Sequence, residues 1–218
     1  MVYYDIHTHR VERSPDVISV TSADLRDESV RHALSMSQDK YYSMGVHPWY
    51  FDMNLMEKVE EYALKPRVIA IGETGLDKTT AKTSSEFSLQ RELFLKHIQL
   101  SEKTQKPLII HCVRAWSELL HIRKTVKPSM PWIVHGFRGK PSIASQLLEA
   151  GLFLSFGAYY HPEALKLAWE KQRLLAETDD KSVDIKEIYQ QIASDLFISI
   201  ESLAQVIEQT FLTSLKTT

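Results

Sequence analysis

The chain has 218 residues, 44% of them hydrophobic and 25% charged, with a formal net charge of −2 and a pI near 6.5. That length and apolar content suit one domain, 1–218, with a real core. The near-neutral balance excludes a polybasic protein, so any nucleic-acid partner must meet local positive charge or bound metal. A single cysteine, Cys112, excludes a disulfide framework, and the lack of a signal-peptide pattern or an apolar run of ~18 residues leads us to expect a cytoplasmic protein.

Short apolar runs predict strands at "VYYDIH" (2–7), "VISVTS" (17–22), "YYSMGV" (41–46), "RVIAIGE" (67–73), "PLIIHC" (107–112), "WIVHGF" (132–137), "LFLSFG" (152–157) and "RLLAET" (173–178). Helical patterns lie between them. "LMEKVEEYAL" precedes the fourth strand, and "SEFSLQRELFLKHIQLSEKT" the fifth, with Ser84 or Ser85 as its cap. "AWSELLHIRKTV" precedes the sixth, and "PSIASQLLEAG" the seventh, with Pro141 at its start and Gly151 at its end. Two more helices are expected near 183–195 and 201–215. Strands alternating with helices argue parallel βαβ units, and near-continuous apolar runs fit strands buried on both faces. Eight units imply an α/β fold of the (β/α)8 TIM type, compact and distorted because the chain is shorter than the ~250 residues usual for it. A doubly wound open sheet is the alternative, but no Gly-rich phosphate loop follows a strand.

The ionisable residues fall at the strand ends. Side chains alternate along a strand, so Asp5, His7 and His9 share one face. His47 ends the third strand, Glu73 the fourth, His111 the fifth and His135 the sixth, while Glu177 and Asp179 end the eighth. In a (β/α)8 barrel these ends meet at one mouth, where active sites lie. Buried charges gathered there call for metal. Imidazoles with carboxylates suit Zn, Mn or Fe, and carboxylate-rich sites also take Mg. Six ligands exceed one tetrahedral ion and suffice for two, bridged by a carboxylate and held ~3.5–4 Å apart. His7, His9 and Glu73 are expected to serve one ion, and Glu73, His111 and His135 the second. Asp179 is expected to close the first site and to orient or deprotonate the attacking water.

At these residues the chain resembles the TatD family of metal-dependent deoxyribonucleases, within the amidohydrolase-like barrels. The matching pieces are "DIHTH" (5–9), "GVHP" (45–48), "AIGETGLD" (70–77), "PLIIHC" (107–112), "VHGFRG" (134–139) and "LLAETD" (174–179), in family order. The resemblance implies a distorted TIM barrel and a one- or two-metal phosphodiesterase acting on DNA ends or AP sites. Its ligand positions map onto His7, His9, Glu73, His111, His135 and Asp179. There are departures. Asp180 and Lys181 follow the last aspartate where the family has a Ser/Ala-Pro pair and an Arg/Asn-bearing loop. "HCR(D/E)A" appears as "HCVRA", and His97 stands for a glutamine usual in the long helix.

Around this set, His47 is read as a contact to substrate phosphate or a strand cap, and Arg138 in "GFRG" as a phosphate-holding cation. Arg114 is the weaker candidate for that task. Asp5 is assigned a supporting role, and Glu177 a supporting or structural one. Asp77 is read as a turn residue, with a role in the site as the alternative, and Cys112 as a buried filler. His32, His97, His121 and His161 are read as non-ligands, and "WYF" (49–51) as a loop packing on a helix rather than a base platform. The chain is thus expected to be a divalent-metal-dependent hydrolase with two ions (Zn, Mg or Mn). It cleaves phosphodiesters of DNA single strands or ends by metal-activated water, with Asp179 and Glu73 catalytic. An amidohydrolase-like enzyme of a small ester, amide or phosphoester is the alternative, and a metal-containing binding protein without turnover the third reading.

Overall fold

The computed structural model describes residues 1–10, 14–27, 40–50 and 52–215. Eight strands lie in one sheet in chain order: β1 (Tyr3–Thr8), β2 (Val17–Ala23), β3 (Tyr41–Met44), β4 (Val68–Asp77), β5 (Leu108–Val113), β6 (Trp132–Val134), β7 (Phe153–Phe156) and β8 (Leu174–Ala176). Among the described residues the helices are α1 (Leu55–Tyr62), α2 (Ser84–Thr104), α3 (Trp116–Val126), α4 (Pro141–Glu149), α5 (Pro162–Glu170), α6 (Ile185–Leu196) and α7 (Ile200–Leu215). This parallel β/α alternation is the TIM-type (β/α)8 fold. Two compact units form within it: Met1–Thr21 with Ile133–Thr218, and Ser22–Trp132. No described helix is long and apolar enough to cross a membrane.

In the first unit, α6 and α7 fix the strand that bears His7 and His9. α6 buries Ile185, Ile188, Tyr189, Ile192 and Ala193, one stripe at helical spacing. Its N-cap Asp184 accepts the Lys186 N–H at 2.9 Å. The buried Tyr189 hydroxyl accepts the Tyr4 N–H at 3.0 Å and donates to the Tyr4 carbonyl at 3.2 Å. α7 sets Phe211 against the Tyr4 ring, centroids 4.7 Å apart, and Glu208 accepts from the Tyr4 hydroxyl. Burying each such large side chain contributes roughly 1.5–3 kcal/mol.

In the second unit, the long helix α2 is capped by Thr83 rather than Ser84 or Ser85. Thr83 accepts from Glu86 N, and Glu86 reaches back to Thr83 N at 2.9 Å, a complete capping box. β4 runs to Asp77, four residues past the expected end, because it keeps pairing with β5 through Asp77 and Val113. The expected strands at 41–46, 132–137 and 173–178 end earlier than their apolar runs, at Met44, Val134 and Ala176. α5 is a helix that apolar patterning did not single out.

Candidate metal centre

In the first unit the donors gather on β1 and beyond β6 and β8. His7 is fully buried, and its ring centroid lies 4.1 Å from that of His135 and 5.1 Å from that of His9. Asp179 adopts a left-handed backbone with φ 53°. Such a conformation is uncommon for a residue with a Cβ, though Asp tolerates it. Two backbone bonds hold it there: Asp179 N–H donates to the His7 carbonyl at 2.9 Å, and His9 N–H donates to the Asp179 carbonyl at 3.1 Å. The Asp179 carboxylate is thereby aimed between the rings, with Oδ1 3.7 Å from His7 Nε2 and 3.6 Å from His9 Nε2. Those separations are too long for hydrogen bonds. Two ligands at about 2.0–2.1 Å from a tetrahedral ion sit roughly 3.3 Å apart, so the spacing suits donors that share an ion.

Asp5 and Glu177 support this cluster from behind. The buried Asp5 carboxylate accepts the Thr178 N–H at 3.1 Å and the Thr178 hydroxyl at 2.7 Å, so it ties the residue before Asp179 to β1. Burial pushes Asp5 up to about 7 against the lowering effect of those bonds. Glu177, fully buried, sets Oε1 3.4 Å from His135 Nδ1. Burial works to raise its pKa, but the opposing interactions, led by His135, hold it below the ordinary range. An ionised carboxylate therefore backs His135, as such groups back metal-binding imidazoles.

The second unit carries the other donors. Glu73 Oε1 lies 3.0 Å from His111 Nδ1 and 2.8 Å from His47 Nε2. Backbone geometry puts it there: β4 holds one more residue than β5 between the pairs Ile71–Leu108 and Thr74–Ile110, a bulge that spans Gly72 and Glu73. The strands approach closely on both sides of Glu73. A Cβ on Gly72 (φ 139°) would meet the Ile109 carbonyl oxygen at 2.3 Å, and one on Gly75 (φ 143°) the His111 carbonyl oxygen at 2.0 Å. Only glycine fits either position.

Asp77 closes this arrangement. Its Oδ2 lies 3.1 Å from His111 Nε2 and accepts the Trp49 indole N–H at 2.8 Å, while Oδ1 accepts the Thr79 N–H at 2.7 Å. Burial acts to raise Asp77, but His111, Thr79 and Trp49 outweigh it and hold the carboxyl well below its usual range. Gln90 on α2, also buried, locks the Asp77 backbone, accepting its N–H at 2.8 Å and donating to its carbonyl at 3.0 Å. An ionised Asp77 selects the His111 tautomer with the proton on Nε2. The Nδ1 lone pair then faces the Glu73 oxygen, where only a cation or a further proton relieves the repulsion.

The structure thus brings His7, His9, His135 and Asp179 together in one unit, and Glu73 and His111 together in the other. His47, expected at substrate phosphate or as a strand cap, faces Glu73. Asp77, read as a turn residue or a site residue, is both: its carboxylate accepts the Thr79 N–H two residues on and orients His111. Its signal was present: Glu73, Gly75 and Asp77 alternate onto one strand face, once β4 is extended. Gln90 and Trp49 gave no separate sequence signal. Asp184, not Asp179, caps the helix that follows. Arg138 and Arg114 are exposed. His97 is buried, accepting the Val46 N–H at 2.9 Å and facing the Leu93 carbonyl at 2.7 Å. Burial pushes the Cys112 thiol up to about 12, in keeping with a filler. His161 precedes α5 as its N-cap residue and His121 is exposed. Among the 49–51 aromatics, Trp49 donates to Asp77, and Phe51, like His32, lies outside the described residues.

Donor triples within 4.8 Å of one another recur as His7, His9 and Asp179, as His135, Glu177 and Asp179, and as His47, Glu73 and His111. Mixed imidazole and carboxylate donors, with His111 backed by Asp77 and His135 by Glu177, fit divalent metal. A family model described as TatD related DNase matches residues 8–216. The chain is 32% identical over 146 residues to an "Uncharacterized metal-dependent hydrolase" of Buchnera aphidicola, covering 63% of this chain and 54% of that protein. It is 28% identical over 159 residues to the human "Deoxyribonuclease TATDN3", covering 68% of this chain and 55% of that one. The chain therefore spans about half the length of these two relatives. A solved TatD homologue of Escherichia coli K12, YjjV, superposes with a TM-score of 0.82 at 20% identity, covering 99% of this chain and 98% of that one.

Proposed function

This chain belongs to the TatD family, and from that premise we propose that it is a divalent-metal-dependent phosphodiesterase that cleaves single-stranded DNA or DNA ends. The observation that carries the reading is the aim of the Asp179 carboxylate between the His7 and His9 rings. His7, His9, His135 and Asp179 would hold metal in the first unit, and Glu73 and His111 in the second, with two ions as the expected load. When bound, such ions activate water and offset charge on the phosphate. The chain's own residues do the rest. Asp179 orients the attacking water and takes its proton at a carboxylate oxygen. Glu177 and Asp77 keep His135 and His111 in the tautomers that present a lone pair forward. Arg138 meets a non-bridging phosphate oxygen with two parallel N–H donors. His47, beside Glu73, is close enough to the same carboxylate to hand a proton to the substrate side.

The test is nucleotide release from 3′-labelled single-stranded DNA by chelated protein given back Mg, Mn or Zn, beside Asp179→Asn. Cleavage restored by metal in wild type and absent in the variant supports the reading. No cleavage of any phosphodiester by metal-loaded wild type removes it.

A further inference from the structure

The loop after β7 exposes a large aromatic side chain without being loose. Tyr159 is 64% exposed. Its neighbours are pinned: the Tyr160 hydroxyl donates to Asp195 Oδ2 at 2.7 Å, the Tyr160 ring packs edge-on against Phe156, and the Ala158 carbonyl accepts from Gln191. The exposure of Tyr159 is therefore built into a fixed loop, unlike a frayed end. The Arg138 guanidinium, three residues beyond His135, approaches the Tyr159 ring to 5.7 Å from its centroid. That is within cation–π reach. Lys181, two residues past Asp179, pairs with Asp180 at 2.8 Å. β6, β7 and β8 are mutually parallel. The loops that carry Arg138, Tyr159 and Lys181 thus rise on the side where His135 and Asp179 stand.

A ring face beside the Arg138 cation is complementary to one kind of ligand: a flat π-system joined to an anion. A nucleotide in a single strand offers both, with an unstacked base and a phosphate about one step apart. We infer that Tyr159 is a stacking platform for a base of single-stranded DNA on the ring face away from Arg138, with Arg138 holding the neighbouring phosphate. This rests on the DNA reading above and adds the residue that recognises the base. Stacking of this kind ignores base identity, because every base has a π-face. Tyr159 therefore selects a nucleic-acid strand over a bare polyphosphodiester without selecting a sequence.

The experiment compares kcat and KM of the metal-loaded enzyme on oligothymidylate and on an oligomer of the same length made of base-free tetrahydrofuran units. The wild type prefers the base-bearing strand by on the order of 5- to 150-fold, expressed in KM. Tyr159→Ala brings that ratio toward one, Tyr159→Phe and Tyr159→Trp keep it, and Arg138→Ala raises KM for both oligomers. Tyr159 is on the surface, so its removal leaves the fold intact, which a thermal melt checks. A Tyr159→Ala ratio within about twofold of wild type overturns the platform and leaves the nuclease reading standing. A wild type that cleaves neither oligomer while loaded with metal overturns both.

Discussion

Asp77 Oδ2 stands 3.1 Å from His111 Nε2, and that contact fixes which nitrogen of His111 is left to face Glu73. Asp77→Asn keeps the shape of the group but removes the charge that selects the tautomer. Metal affinity is expected to fall by about 10–100-fold, the usual cost of losing such a partner. Titration against a chelating indicator checks this, alongside a thermal melt to separate it from unfolding. An affinity equal to wild type would mean that His111 needs no orienting carboxylate.

Gly75 is the tightest point of the β4–β5 contact. Gly75→Ala forces a Cβ toward the His111 carbonyl oxygen at 2.0 Å, at a backbone angle of φ 143° that alanine avoids. The expected cost is about 1–3 kcal/mol or more in urea unfolding, together with weaker metal binding because Glu73 and His111 are displaced.

His97 gives the fold an acid sensitivity. Burial pushes its pKa down from 6.5 to about 4, with the Leu93 carbonyl opposing. The folded state therefore binds fewer protons than the unfolded state between those values. The stabilisation is fully present above about pH 6.5 and is lost as pH falls toward 4, by about 3 kcal/mol in all. His97→Gln keeps an acceptor for the Val46 N–H and does not titrate. Unfolding free energies at pH 7.5 and 4.5 should show the wild type losing more than the variant; equal losses would place the acid-sensitive group elsewhere.

Tyr189→Phe tests how the C-terminal helices support β1. It strips the partner from both the Tyr4 N–H and the Tyr4 carbonyl. The expected loss is about 1–3 kcal/mol, read as a lower urea midpoint with an unchanged slope.

The strand-end histidines were legible because β-strands alternate and because parallel β/α units put their C-terminal ends on one side. His7, His9, Glu73, His111, His135 and Asp179 all followed from those two rules and the family motifs. What escaped was set by non-local contacts. The end of β4 at Asp77 depends on pairing with Val113, so an apolar run that stops at Glu73 left Asp77 outside the expected strand. The burial of Gln90 depends on a backbone 13 residues away and has no apolar signature. α5 was missed because two of its three buried residues, Ala164 and Ala168, are small and give a weak stripe, although Pro162 marks its first turn. Thr83 rather than Ser84 caps α2 because its partner is Glu86, three residues on, and a serine one place later pairs with Phe87.

The most direct measurement is metal content after reconstitution and exhaustive dialysis, for wild type and for the pair His7→Ala and Asp179→Asn. The donor clusters predict at least about one tightly held divalent ion per chain in wild type, and a clear loss in both variants. Well under one ion per chain in folded wild type, or variants that retain as much as wild type, would contradict a metal centre built on these residues.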